Sequence, residues 1–169
     1  MKPTERPTLD LAAGLKALEE DLPRVVNVLG VTSLSDLGWS RPKPLVLLVP
    51  MKATWQGQED AYLLRLSFEA YRRWPPSARF VNPATQDYVH PDDQHHVPKL
   101  TSPECQTHIA YQMNAQAPKM QLICCSATFE FWDVLHDVEE HHMWRGTETF
   151  LTTINAIQKA FGSHYQGRF

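Results

Sequence analysis

Cys124 and Cys125 close the apolar run Gln-Leu-Ile-Cys-Cys and stand just before Ser-Ala-Thr, and a third thiol, Cys105, lies upstream. A thiol placed where an apolar strand gives way to small residues is reachable, and its thiolate is a nucleophile able to hold an acyl group as a thioester. Adjacent strand residues point to opposite faces, so at most one of the pair faces the core. The opposing reading is packing, because cysteine is among the most buried residue types. A hydrolytic cysteine would need a histidine close by. His108 and His136 are candidates that spacing alone does not choose between. Three cysteines, two of them adjacent and none in a CxxC pair, point to reduced thiols and away from a disulfide framework or structural zinc.

The richest titratable stretch, residues 133–142, gathers His136, His141 and His142 with Asp137, Glu139 and Glu140. Zinc hydrolases space their histidines to share one helical face, as in HExxH. His136 and His141 are five apart, which is off one face, so the expectation is a solvated acidic-histidine loop with no metal. Such a charged loop is cheapest at the surface. Its acids would suit partner selection or the approach of a lysine. Trp132 and Trp144 are expected to pack and not to stack on a cofactor, and no cofactor is expected.

The 169 residues suffice for one domain with a single core, and 43% hydrophobic with 21% charged residues is a globular balance. A net charge of −3 offers no basic face for nucleic acid. No window approaches the ~20 apolar residues of a bilayer span, and the start, MKPTERPTLD, lacks the apolar centre of a signal peptide. A cytoplasmic protein with no membrane partner is the expectation.

Elements that position these residues follow from periodicity and turn chemistry. Thr8 or Asp10 can cap a first helix over 9–22, with Leu11, Leu15, Leu18 and Leu22 inward, Lys16, Glu19 and Glu20 outward, and Pro23 as its end or kink. The segment after it is ambiguous between strand and helix, and SRPKP reads as a break. Residues 45–53, 62–69 and 78–81 read as consecutive antiparallel strands, the first pair turning at GQED and the second at Pro75-Pro76. Residues 84–103 read as loop and 121–125 as strand. Residues 129–143 stay unassigned. A closing helix carries Phe150, Leu151, Ile154, Ile157 and Phe161, with Gly162 at the capping position. Helix, meander, irregular loops and helix make an α+β domain.

Phe68, Tyr71, Pro75-Pro76, Phe80, Ile123-Cys124, Trp144 and the closing helix occur in the order found in the ubiquitin-conjugating enzymes, and the chain resembles that family over roughly residues 45–161. The long charged insert between Cys124 and Trp144 most resembles the divergent bacterial members. Those stand in operons with an activating enzyme, a ubiquitin-like protein and a deconjugating protease, several of them antiphage. The resemblance implies a UBC-like fold, an antiparallel meander flanked by an N-terminal and a C-terminal helix. It implies Cys124 as the thioester acceptor and a lysine amine of a protein as final acceptor. It also implies that the first helix docks the activating enzyme. A non-catalytic scaffold of the same fold is the alternative, though such variants usually lack the acceptor cysteine. The family's His-Pro-Asn is absent, and Asn114 and Gln116 stand in its place as amide donors for the oxyanion, a role commonly worth ~3 kcal/mol. Arg145-Gly146 replaces the proline after the tryptophan, and HYQGRF leaves no room for the family's extra C-terminal helices, so the chain looks like a minimal version.

Overall fold

Asp10 starts the structured chain: its carboxylate accepts the Ala13 N–H at 3.0 Å and caps helix α1 (Leu11–Val28). The structure is a computed structural model that describes residues 6–134 and 142–169. Pro23 does not end α1, which runs on to Val28 with only the one backbone donor missing. The inward face differs from the expected leucine stripe. It consists of Gly14, Leu18, Asp21 and Val25, while Leu15 and Leu22 are half-buried and Leu11 is 57% exposed.

Gly14 sets that rotation. A Cβ there would lie 2.0 Å from the Phe68 carbonyl oxygen, so the helix backbone sits directly on the chain where the second strand of the hairpin ends. The adjacent Asp10 N–H donates to the Glu69 carbonyl at 2.6 Å and fixes the same junction. Gly14→Ala is therefore expected to lower stability by about 1–3 kcal/mol through overpacking. Helix propensity alone would raise it by about 1 kcal/mol. Urea denaturation reads the sign directly.

Four strands follow as a meander: β1 (Ser40–Lys43), β2 (Val46–Trp55), β3 (Gln58–Ser67) and β4 (Ser77–Val81), hydrogen-bonded in that order and antiparallel. The three strands expected here are present. Gln56 and Gly57, both at positive φ, make the two-residue turn between Trp55 and its partner Gln58. SRPKP, expected to break the chain, supplies β1 instead. Pro42 is tolerated because β1 is the edge of the sheet.

A second four-stranded sheet was not expected. It contains β5 (Pro98–Ser102), β6 (Cys105–Tyr111), β7 (Met120–Cys124) and β8 (Tyr165–Arg168) in the order β7-β6-β5-β8. The stretch expected as loop thus yields β5, and HYQGRF yields β8. Gln121 joins the two sheets by acting as a strand residue with its side chain. Its Oε1 accepts the Phe80 N–H at 2.6 Å and its Nε2 donates to the Phe80 carbonyl at 2.8 Å. At the other margin Tyr165 Oη donates to Asp60 at 2.6 Å, and Arg168 holds Asp60 at 3.0 Å and the Ala61 carbonyl at 2.9 Å.

Helix α2 (Phe129–Asp133) contacts β4 and β7, and helix α3 (Leu151–Ser163) contributes Ile154, Ile157, Ala160 and Phe161 to the shared core. Gly162 lies inside α3, whose capping residue is His164. Phe161 packs on Tyr62, Phe80 and Tyr165 with ring centroids 5.5–5.9 Å apart, the spacing of edge and offset aromatic pairs. No helix among the described residues is long and apolar enough to cross a membrane.

Candidate functional site

Cys124 is the last residue of β7 and lies directly across from Gln106 of β6. Its neighbour Ile123 is fully buried in the core, so Cys124 belongs to the outward face of the second sheet and is half-buried there. The strand stops because Thr128 takes over its carbonyls. Thr128 Oγ1 donates to Ile123 and Cys125 at 2.8 Å each, and its N–H donates to Cys125 at 2.9 Å. The chain leaves the sheet at the thiol.

The other two thiols belong to the interior, each about 1% exposed. The hydrogen bond Cys105 shares with Cys125, and after it burial, push the Cys105 thiol up and keep it from ionising. The three cysteines thus divide into one reachable thiol and a buried pair, and the adjacent residues face opposite ways as alternation requires.

The residues after Cys124 are tied to α2, to α3 and to the segment that leads into Trp144. Ser126 Oγ accepts the Met143 N–H at 2.9 Å, its carbonyl accepts Trp132 Nε1 at 3.1 Å, and the Ala127 carbonyl accepts Thr153 Oγ1 at 2.7 Å. Trp144, 2% exposed, donates Nε1 to the Arg72 carbonyl at 3.2 Å and lies 5.8 Å from the Tyr71 ring. Tyr71 Oη donates to Asp21 of α1 and accepts the Phe150 N–H at 2.9 Å. Burial, and then the bond to Asp21, hold the Tyr71 phenol well above its ordinary range, so it stays a donor. The aromatic-proline corner, α1, Trp144 and the start of α3 therefore form one hydrogen-bonded frame.

Arg145-Gly146 forms its own turn. Glu148 is partly buried, which opposes ionisation, but backbone N–H groups of Arg145 (2.7 Å) and Thr147 (3.1 Å) hold its carboxyl below the usual value. Gly146 takes φ +86° there, a conformation that a proline, fixed at negative φ, cannot adopt.

Asn114 and Gln116 are not at the thiol. Both are exposed in the β6–β7 connection, where Asn114 Oδ1 accepts the N–H groups of Gln116 (3.0 Å) and Ala117 (2.9 Å). Cys124 lies at the opposite end of β7, four residues from Met120 and so about 13 Å away along the strand. The chain between them folds as a hairpin arm, which turns a short sequence distance into the length of a strand. The expected amide donors have a turn-forming role instead.

The described residues bring His108 to the site. It lies opposite Leu122, on the same outward face of β6 as Gln106. The alternation Cys-Gln-Thr-His-Ile in β6 was the available signal, since it places Gln106 and His108 outward once the strand is recognised. His136, Asp137, Glu139, Glu140 and His141 lie outside the described residues. His142, at the edge of that stretch, packs its ring 4.7 Å from Trp132. Among the described residues no group of His, Cys, Asp or Glu is arranged to hold a metal.

A cavity of about 180 Å³ opens beside α2, lined by Ser77, Arg79, Met120, Phe129, Glu130 and Asp133 among others. Glu130 is 5% exposed, accepting from Ser77 Oγ and from the Ala78 N–H at 3.1 Å. Burial pushes its carboxyl above 4.5 in spite of these donors. A carboxyl raised on folding weakens stability as pH rises from its unfolded value through its folded one, and the loss is complete above that. Glu130→Gln is therefore expected to melt higher than the wild type at neutral pH. The gap should close below pH ~4, where both states of the wild type are protonated. A lower melting temperature at every pH would mean that the carboxylate is needed as an acceptor.

Comparison with protein-family models, with characterised proteins and with solved structures gives no match for this chain.

Proposed function

We propose that this protein is a ubiquitin-conjugating-like thioester carrier. Cys124 takes a ubiquitin-like modifier from an activating enzyme and passes it to a lysine amine, and the setting is a bacterial antiphage pathway. The observation that carries the reading is the separation of the thiols: one cysteine is reachable at a strand end while the two beside it are sealed in the core. Transfer between two large partners needs that accessibility. The order of α1, the meander, the aromatic-proline corner, Trp144 and α3 supports a UBC-like arrangement, to which the second sheet is an addition.

The docking surface for the activating enzyme is the outer face of α1. Lys16 is exposed there, whereas Glu19 and Glu20 are partly engaged by Arg41 (2.6 Å) and Arg72 (3.2 Å). A face of mixed charge suits a steered partner that must leave after transfer.

The test is incubation with activating enzyme, ATP and the ubiquitin-like protein, followed by a non-reducing gel. A thiol-sensitive adduct is the expected result. The scaffold alternative predicts non-covalent binding of the modifier with no adduct.

A further inference from the structure

We infer that His108 is the proton acceptor for Cys124, so that the site is a cysteine–histidine pair built across strands β6 and β7. The inference deepens the carrier reading and rests on it for the identity of the acyl donor. Its geometric basis is the ladder register. Gln106 is opposite Cys124 and His108 is opposite Leu122, so His108 is the diagonal neighbour of Cys124 on the same outward face. Diagonal neighbours in antiparallel pairs are about 7–8 Å apart at the backbone, within reach of a long or aromatic side chain. On β6 burial follows the register, with Gln106 and His108 exposed and Thr107 inward. On β7 Ile123 points inward and Cys124 is half-buried, while Leu122, on the face shared with His108, is covered and 0% exposed.

Among the described residues, the strand neighbours of Cys124 leave this role to His108. Gln106, directly across from the thiol, can donate or accept a hydrogen bond but does not take up a proton. Tyr111, with its ring 6.4 Å from that of His108, flanks it on the other side. Among the described residues, the charged groups on the elements packed against β6 and β7 are Lys99 of β5, Arg79 of β4, Glu130 and Asp133 of α2 and Lys159 of α3, together with Glu104. Lys99 turns its Nζ over the Phe169 ring, 5.4 Å from the centroid. Glu104, just before β6, is engaged by Lys159 at 3.0 Å. On α2, Glu130 is turned to Ser77 and Ala78, and Asp133 lines the cavity beside the helix.

The step is a transthioesterification. Cys124 gives its Sγ proton to His108, and the thiolate attacks the thioester carbonyl of the charged activating enzyme. The new carbon–sulfur bond forms as the old one breaks, and the departing thiolate takes the proton back from the imidazolium. No oxidant, metal or cofactor is consumed.

The pairing is read without any partner by alkylation with iodoacetamide, followed at the Cys124 peptide by mass spectrometry. Near pH 7, His108→Gln is expected to slow alkylation about tenfold, while at about pH 10, where an unassisted thiol is ionised, its rate should equal that of the wild type. Gln106→Ala, which removes a neighbour without removing a base, should leave both rates unchanged. Equal rates for His108→Gln and wild type near pH 7 would overturn the pairing. A loss of the same size at both pH values would overturn it too, because it would report access to the thiol and not proton transfer. If the alkylation difference appears but the wild type never loads modifier, the pair stands and the carrier reading fails. If the wild type loads and His108→Gln alkylates and loads at the same rate, the carrier reading stands and the pair fails.

Discussion

Replacing Asp21 with alanine is expected to lower stability by about 3–5 kcal/mol, the range seen when one member of a buried ionic network is removed. Asp21 has no exposed surface, accepts from Tyr71 Oη, and receives Arg72 at 2.8 and 3.0 Å. Its loss would leave a buried phenol without its acceptor and a largely buried guanidinium with only Glu20 and the Ala17 carbonyl, and an unmade buried bond costs more than a made one contributes. The consequence spreads because the same tyrosine accepts the Phe150 N–H that opens α3, and the Arg72 carbonyl holds Trp144. Asp21→Asn keeps one acceptor for Tyr71 and should lose less. Urea denaturation measures both, and a loss below about 1 kcal/mol for the alanine variant, typical of an exposed pair, would show that the network is not a structural keystone.

The second large effect is chemical. Cys124→Ala should abolish the thiol-sensitive adduct completely, since no other thiol is reachable: Cys105 and Cys125 are each 1% exposed. Cys125→Ala should retain most of the adduct at a modest cost in stability, because it removes a core thiol hydrogen-bonded to that of Cys105 and leaves the outward face untouched. Cys124→Ser tests the nucleophile itself, and an ester that survives thiol treatment would be its mark. Equal loss from Cys124→Ala and Cys125→Ala would trace the effect to folding.

The meander was legible because its signals are local. Alternation from Val46 to Ser67 and the paired prolines each act within a few residues, and the turn read at GQED falls slightly earlier, at Gln56-Gly57. Strand parity, a property of adjacent residues, allows at most one of Cys124 and Cys125 to face the core, and the choice of Cys124 as the reachable one came from the resemblance. What sequence did not give depends on partners far along the chain. Asp21 reads as a solvent residue until Tyr71 and Arg72, 50 and 51 positions away, are brought to it. Gly14 reads as a helix weakness until the Phe68 carbonyl is placed beneath it. The second sheet was hidden because β5 and β8 are short and pair with each other across the whole C-terminal half of the chain. Asn114 and Gln116 are close to Cys124 in sequence but not in space, because β7 intervenes between the turn they form and the thiol. His108 was one of two open candidates, and only the β6–β7 register brings it to the thiol.

Peptide mapping of the loaded wild-type protein tests the central claim most directly. After incubation with activating enzyme, ATP and ubiquitin-like protein, rapid acid quenching and proteolysis without reductant, the C-terminal remnant of the modifier should be found on the peptide containing Cys124. It should disappear after brief treatment with thiol. A remnant on Cys105, on Cys125 or on a lysine alone would contradict the assignment, as would an unmodified Cys124 peptide in the presence of fully charged activating enzyme.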